Sequence, residues 1–513
     1  MGKTAMRIAL FMQNQTERTR HMREINSRPS EGFESTLYPR IGLYIGGNWI
    51  YDRDRWIDVR NPSTGNALGP VPNATPADLH NALEAAEAGF RIWRDTQPLE
   101  RSRIIMKAVA LIRERARDIA KVLTLEHGKT LAAAEGEIIR SCRFYDWEAG
   151  QALRSYGWIL PAADQMQKRI LRLPIGPVVA FTPWNVPMSA FARKTSAALA
   201  AGCSIIVKAA NETPGTAVEL VKCFEEAGLP PGVLNLVLGD PAVISSTLIG
   251  SPISRLVTFT GSTGVGKHLT ELAARAMKPA LMELGGHAPV IVGRDVDAKA
   301  IGLLAAEAKT RASGQICASA SRFIVDESVY KPFVDSFAGA LNDLRIGDGF
   351  DPQAQMGPLA NDRRLGAAET MVQNAVARGA RVAAGGNRIG NRGFYFEPTL
   401  LVDVPLDADS MTVEPFNPIG SCISVPNLDA ALKIANNLHV GLAGYAFTNN
   451  LTDAERIQRE LEVGALSINH FDTPDSDTPF GGVKDSGIGR EGGPTSLDAY
   501  MVQKTVLQFS GTI

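Results

Sequence analysis

Disulfide-forming capacity is the first thing this chain lacks. Its five cysteines, Cys142, Cys203, Cys223, Cys317 and Cys422, are scattered over 513 residues, odd in number and without a CxxC pair. That pattern excludes a disulfide framework and a zinc knot, and it fits a reducing, cytoplasmic compartment. Charge of one sign is missing too: 53 Lys and Arg face 54 Asp and Glu, for a net charge of -1. Without a basic field the chain has no footprint for nucleic acid or for an anionic membrane surface. The longest apolar run, Ala197 to Val207, is broken by Gly202 and Ser204 and is far too short to span a membrane. No repeat, low-complexity tract or flexible Gly/Ser linker is present. These absences leave a large globular protein whose partner is a small molecule.

With 45% hydrophobic residues the chain can bury a large core, and its length predicts two or three domains. Residues 1–40 read as a disordered extension: the apolar run Ile8 to Met12 is too brief for a signal segment, and Met22 offers an alternative start. Order is expected from Ile41, where alternation and Gly46-Gly47 mark a hairpin. Helical spacing covers Pro76 to Trp93, with Asn73 or Thr75 as cap, and Leu99 to Gly128, while Lys129 to Ser155 carries no assigned structure. Trp158 to Leu173 reads as a protruding hairpin turning at Ala162-Ala163-Asp164-Gln165. Strands at Gly176 to Pro183, Ser204 to Lys208, Val233 to Leu238 and Leu256 to Thr260 then alternate with helices at Phe191 to Ala201, Pro214 to Ala227 and Ala242 to Gly250. Such alternation builds a parallel sheet covered on both faces. A second alternation follows Gly285-Gly286, with strands Pro289 to Val292 and Arg322 to Val325 and helices Ala298 to Ala312, Tyr330 to Leu344 and Asp362 to Arg378. The fold class is therefore α/β with two parallel-sheet domains. The cleft at their packed hinge is the expected ligand site.

Four stretches carry chemistry. In Lys309-Thr310-Arg311-Ala312-Ser313-Gly314-Gln315-Ile316-Cys317 a Gly turn delivers a cysteine, and a thiolate is an intrinsically strong nucleophile. Phe259 to Gly266 is a Gly-rich turn between a strand and a helix, where backbone N–H groups suit a phosphate. It is also a near miss for a P-loop, because Gly261 to Lys267 fits GxxxxGK but His268 replaces the magnesium-binding hydroxyl. Glu283, before Gly285-Gly286, is placed to act as a base, and Asn185, fixed behind Pro183-Trp184, can donate to an oxyanion. Alone, each has a second reading: a structural buried thiol, a solvated carboxylate, a turn asparagine.

Together with Pro479-Phe480-Gly481-Gly482-Val483-Lys484-Asp485-Ser486-Gly487-Ile488-Gly489-Arg490-Glu491, these stretches resemble the NAD(P)-dependent aldehyde dehydrogenase family. The likeness runs from Leu43 to the end, through Leu125-Glu126-His127-Gly128-Lys129, Met356-Gly357-Pro358-Leu359 and Glu397-Pro398-Thr399. It implies the family's two Rossmann-like domains with an oligomerisation hairpin: 41–157 and 176–286 for NAD(P), 287–490 for catalysis, 158–175 and 491–513 for assembly into a dimer or tetramer. It implies Cys317 as nucleophile, Glu283 as base and Asn185 as oxyanion donor. It further implies Thr182, Pro183, Trp184, Lys208, Asn211, Gly261, Ser262, Gly266, Glu414, Phe416 and Lys194 around NAD or NADP, with no metal. Hydrolysis of a thioester is expected rather than transfer to coenzyme A. Where the family commonly has Lys-Pro-Ser-Glu, the chain has Lys208-Ala209-Ala210-Asn211, so a 2'-phosphate is not repelled. Asn417 stands where Gly is usual, and Ala318-Ser319 leave no vicinal cysteine for a disulfide switch. Ala192-Arg193-Lys194, Arg311 and Arg154 resemble succinate-semialdehyde dehydrogenases, which implies Arg154 and Arg311 as a cationic floor for a carboxylate. Asp475-Ser476-Asp477 stands where those enzymes carry serines; if Asp475 neutralises Arg154, the preference turns toward aromatic or medium-chain aldehydes.

Overall fold

The computed structural model describes residues 37–53 and 56–511. The extension expected over 1–40 lies outside the described residues except for its last four. Order already holds there, since the Tyr38 hydroxyl donates to Glu126 Oε2 at 2.7 Å.

Two sheets organise the chain. In the first, Leu234–Val237, Ile205–Lys208, Val178–Phe181, Leu256–Thr260 and Ala280–Glu283 run parallel side by side. The hairpin of Leu43–Ile45 and Asn48–Ile50 closes one edge, and Gly487–Ile488 closes the other antiparallel to Ala280–Glu283. That last strand comes from the 287–490 segment, so the chain returns to the first sheet at its end. The central strands are buried along most of their length because helices cover both faces, which is why they read as continuous apolar runs rather than alternating ones.

The second sheet runs in the order Arg381–Ala384, Thr399–Val402, Ile419–Val425, Ala320–Asp326, Ala288–Val292, Ala443–Phe447 and Ala465–Ile468, all parallel except the first. A third, small sheet pairs Trp158–Leu160 with Met166–Pro174 and then Met166–Pro174 with Met501–Phe509 along its full length. The C-terminal strand Met501–Phe509 thus pairs with the hairpin, bringing together the two segments that the resemblance assigns to assembly.

Two helical expectations change. The pattern over Leu99 to Gly128 is two helices, Pro98–Glu114 and Ala116–His127, because Arg115 leaves the helical region at φ -95°, ψ 8° and the chain turns there. Lys129 to Ser155 contains a 22-residue helix, Leu131–Ala152, capped by Thr130. Its apolar stripe is diluted by buried polar residues, Glu137, Ser141 and Glu148, which hid the periodicity. Thr75, not Asn73, caps Pro76–Asp95 through a capping box with Asp78.

Candidate active site

Four adjacent parallel strands of the first sheet place the predicted residues at their carboxyl ends. Val178–Phe181 leads into Thr182, Pro183, Trp184 and Asn185, Ile205–Lys208 ends on Lys208, Leu256–Thr260 leads into Gly261 and Ser262, and Ala280–Glu283 ends on Glu283. Register fixes their spacing, with Phe181 opposite Lys208 and Thr260 opposite Glu283. Crevices outside such strand ends are where open α/β sheets bind ligands.

The second sheet offers its amino ends to the same place. Cys317 precedes Ala320–Asp326, and Glu414 and Phe416 precede Ile419–Val425. The cysteine turn is held by force of packing: Ala312 and Ser313 have φ of 46° and 57°, the left-handed region that costs a side-chain residue about 1–2 kcal/mol, and Gly314 follows at φ 70°. A Cβ on Gly314 would stand 2.1 Å from the Asn417 carbonyl oxygen, so glycine is obligatory there. Ser313 Oγ donates to the Gly357 and Pro358 carbonyls, at 2.8 and 3.2 Å, and Gln315 Oε1 accepts from Ala360 N at 3.0 Å. The Met356 to Leu359 motif is therefore a brace for the turn.

Asn185 Nδ2 donates to the Gln315 carbonyl at 2.8 Å, which ties the first sheet's loop to this turn and leaves the second amide N–H for another acceptor. Glu283 is 5% exposed, lies against the Cys317 thiol, and its Oε1 has no hydrogen-bond partner. Burial, then the Glu491 charge, push its carboxyl up to about 7, against the pull of Lys194, the thiol and Arg193. Burial, then Glu283 and Glu414, push the Cys317 thiol well above its usual value. The thiol thus faces a carboxylate that changes its charge near neutral pH and is a weaker base than the thiolate, so the proton can pass between them only as sulfur forms a new bond. Lys194, expected at the nicotinamide end, lies behind Glu283: it is fully buried, with Nζ 2.7 Å from Glu491 and 3.1 Å from Thr258 Oγ1.

The residues expected around a dinucleotide have the right character. Burial pulls the Lys208 ammonium down to about 8, opposed by the Glu212 and Asp240 charges, and its nearest partner is Asn211 Oδ1 at 3.4 Å. Asn211 is clamped to Gly239 by two hydrogen bonds, Nδ2 to O at 2.9 Å and N to Oδ1 at 3.1 Å. Ser262 N-caps the helix Thr263–Arg275 without a side-chain hydrogen bond, so its hydroxyl does not occupy the first backbone N–H groups that an anion would need. A Cβ on Gly266 would meet Leu284 Cδ2 at 2.2 Å, which sets how closely that helix packs. Lys267, the would-be P-loop lysine, is instead paired with Asp485 at 2.7 Å. Trp184 meets Phe416 edge-on at 5.5 Å, and Glu414 accepts from the Gly286 N–H at 3.1 Å. Burial first raises the Glu414 carboxyl, to about 7. These features fit NAD or NADP. No cluster of His, Cys, Asp and Glu among the described residues could hold a metal.

The two arginines expected as a substrate floor stand apart from this network. Arg154 is exposed at the end of the helix Leu131–Ala152 and donates to its own Gly150 carbonyl at 2.9 Å. Arg311 is 46% exposed and lies 3.5 Å from Glu307, though its charge reaches Tyr445, whose hydroxyl donates to the Ala318 carbonyl beside the cysteine. Asp475 does not neutralise Arg154. It pairs with Arg143 at 2.7 Å. The arginine beside the thiol is Arg193, whose charge faces Glu491, Glu283 and Cys317. Its guanidinium lies 4.1 Å from the Phe144 ring centroid and 5.0 Å from that of Phe480, with Nη1 buried and unpartnered. Sequence reasoning passed over its role. The available signal was an arginine beside Lys194 in the largely buried helix Pro187–Ala201.

A cysteine after a left-handed turn, a buried carboxylate against it with one oxygen unpartnered, and glycine and lysine residues at the carboxyl ends of a parallel sheet fit an NAD(P)-dependent oxidoreductase acting on aldehydes. The model of the aldehyde dehydrogenase family matches residues 49–506, and the chain belongs to that family. It is 43% identical over 472 residues to a 4-(hydroxymethyl)benzenesulfonate dehydrogenase of Comamonas testosteroni, covering 92% of this chain and 98% of that one. It is 37% identical over 473 residues to the NADP(+) succinate-semialdehyde dehydrogenase of Escherichia coli, covering 91% and 97%. The crystal structure of succinate-semialdehyde dehydrogenase from Burkholderia pseudomallei superposes with a TM-score of 0.89 at 38% identity, over 93% of this chain and all of that one.

Proposed function

We propose that the chain oxidises an aldehyde bearing an anionic group at its far end to the carboxylic acid, through a thioester on Cys317. The observation that carries this reading is the buried Glu283, one oxygen unpartnered, against the Cys317 thiol, with the Arg193 charge reaching both. The thiol gives its proton to Glu283 as sulfur bonds to the aldehyde carbon and the carbonyl pair moves onto oxygen. The free Asn185 N–H and the Cys317 backbone N–H stabilise that oxyanion. Bound nicotinamide supplies the hydride acceptor. Departure of hydride restores the carbonyl as a thioester on Cys317. Glu283 first passes the thiol's proton to solvent, then takes a proton from water as the water oxygen attacks that carbon, and returns it to the sulfur as the carbon–sulfur bond breaks and the acid leaves. With Glu283 held at about 7, its basic form grows through that range, so hydrolysis accelerates as pH rises toward it.

Lys208 and Asn211 serve the adenosine ribose, Gly261, Ser262 and Gly266 the pyrophosphate, and Thr182, Pro183, Trp184, Glu414 and Phe416 the nicotinamide half. The neutral Asn211 admits both NAD and NADP. Arg193 supplies the charge for a carboxylate or a sulfonate, which covers a short semialdehyde and a sulfonated benzaldehyde alike. A second reading, an uncharged aromatic aldehyde, is favoured by the Phe144 and Phe480 rings around Arg193. The protein is a cytoplasmic homodimer or homotetramer assembled on its third sheet, where Ile159, Leu507 and Phe509 are exposed. No helix among the described residues is long and apolar enough to cross a membrane.

The test is kcat/KM for succinate semialdehyde, 4-sulfobenzaldehyde, butanal and benzaldehyde, each with NAD and NADP. Charged aldehydes are expected to exceed their uncharged counterparts by about tenfold or more. Parity would overturn the anionic reading and leave the aromatic one.

A further inference from the structure

Outward from the thiol, the side chains follow in an order that the chemistry alone does not require. Cys317 and Glu283 face Arg193, Arg193 lies between Phe144 and Phe480, and the Arg193 charge also faces Asp475. Asp475 Oδ2 accepts from Arg143 Nη1 at 2.7 Å. Arg143 is the neighbour of Phe144 on the helix Leu131–Ala152, and Asp475 lies in the loop that ends at Phe480. Both members of the pair are exposed, with side chains 57% and 48% accessible, whereas Phe144 and Phe480 are buried. The exposed ion pair is therefore linked, through the Arg193 charge and the two buried rings, to the Cys317 thiol.

The loop is built to present this carboxylate. Asp475 Oδ1 accepts from the Ser476 N–H at 2.8 Å, and Thr478 Oγ1 donates to the Asp475 carbonyl at 3.1 Å. Ser476 is buried, and its carbonyl accepts from the Gly493 N–H at 2.9 Å. Trp147, one turn beyond Arg143 on the same helix, donates from Nε1 to the Gly493 carbonyl at 3.0 Å. Helix and loop are thus fastened together behind the ion pair. One carboxylate is held near two arginines, and one of those, Arg193, has a buried N–H group without an acceptor.

We propose that the Arg143–Asp475 pair is a specificity gate for the anionic end of the substrate: Asp475 holds a place near both arginines that an incoming carboxylate or sulfonate must contest. This rests on the reading of Arg193 as the anion-facing arginine. Tied to Arg143, Asp475 presents a neutral pair to an approaching anion. Released from Arg143, it would face Arg193 and repel the substrate. The gate thus discriminates by charge at the mouth, while the thiol and its base stay the same for every aldehyde.

The readout is the ratio of kcat/KM for 4-sulfobenzaldehyde to that for benzaldehyde, and likewise for succinate semialdehyde and butanal. Asp475→Asn is expected to raise both ratios about threefold to tenfold, mainly through KM. Arg143→Leu is expected to lower them by a similar factor, as befits a partly exposed pair. In Arg143→Leu/Asp475→Asn the loss caused by Arg143→Leu is expected to be largely reversed, and at about 1 M salt all differences shrink because exposed charges are screened. Unchanged ratios in Asp475→Asn, or a double variant that keeps the full loss of Arg143→Leu, would overturn the gate. Arg193→Leu separates the two levels of argument. If it lowers the ratios while Asp475→Asn does not move them, the anionic reading stands and the gate falls; if it moves neither ratio, the reading beneath the gate falls as well.

Discussion

Glu283 and Asp475 are both carboxylates facing the Arg193 guanidinium, yet they are held in opposite ways. Glu283 is buried, one oxygen is unpartnered, and burial with the Glu491 charge pushes it up to about 7. At Asp475 partial burial is outweighed by the Ser476 N–H and the Arg143 guanidinium, which hold it below the usual carboxylate range. The first is a group kept reactive by being left unsatisfied; the second is a group kept charged by being paired. An unsatisfied buried carboxylate costs stability and is retained where chemistry needs it. An exposed pair costs little either way and is free to differ between relatives that share the same chemistry.

The largest test of the inner region is removal of its nucleophile. Cys317→Ala is expected to reduce turnover to background while leaving NADH and NADPH binding, read by fluorescence, nearly intact. Retained dehydrogenase activity would break the assignment. Asn185→Ala comes next. It removes one oxyanion donor, for about 2.7–4 kcal/mol or a fall in kcat of roughly 10²–10³. A fall below about tenfold would show that the Cys317 N–H suffices.

The outer region is sharpened by comparing two arginines. Arg193→Leu is expected to lower kcat/KM for succinate semialdehyde relative to butanal by roughly tenfold to a hundredfold, the worth of a charge-assisted hydrogen bond in a partly desolvated site. Arg154→Leu, at an exposed helix end, is expected to leave that ratio within about twofold. The reverse pattern would restore Arg154 as the substrate floor. The smallest effect is at the far end of the cofactor crevice. Asn211→Glu is expected to shift preference toward NAD by roughly 1–2 kcal/mol, read as the ratio of specificity constants for NAD and NADP. The clamp from Asn211 to Gly239 opposes a larger gain.

Much of this was legible in the sequence where local pattern and physical cause coincide. Pro214–Ala227 and Leu256–Thr260 have the boundaries that cap, glycine and apolar run predict. The Cys317 turn was legible because glycine is required where the chain is left-handed. The helix Leu131–Ala152 was not, because three of its buried positions are polar and satisfied from outside the helix, Glu137 by Lys129 and the Ser189 N–H, Ser141 by Ser189 and Glu148 by Ser496. Arg193 was missed for a related reason. What distinguishes it is a sandwich between Phe144 and Phe480, residues far away in the chain. Arg154 and Arg193 look alike as letters, and only packing tells an exposed helix end from a guanidinium set against two buried rings.

The most direct test of the central claim uses Glu283→Gln, mixed with saturating aldehyde and NAD(P)+ and followed both by absorbance of the reduced cofactor and by mass spectrometry of the protein. The account predicts one burst of reduced cofactor close to one equivalent per site, a slow phase that has lost its rise with pH through about 7, and an acyl group retained on Cys317. Steady turnover without a burst, or an acyl group on any other residue, would contradict it.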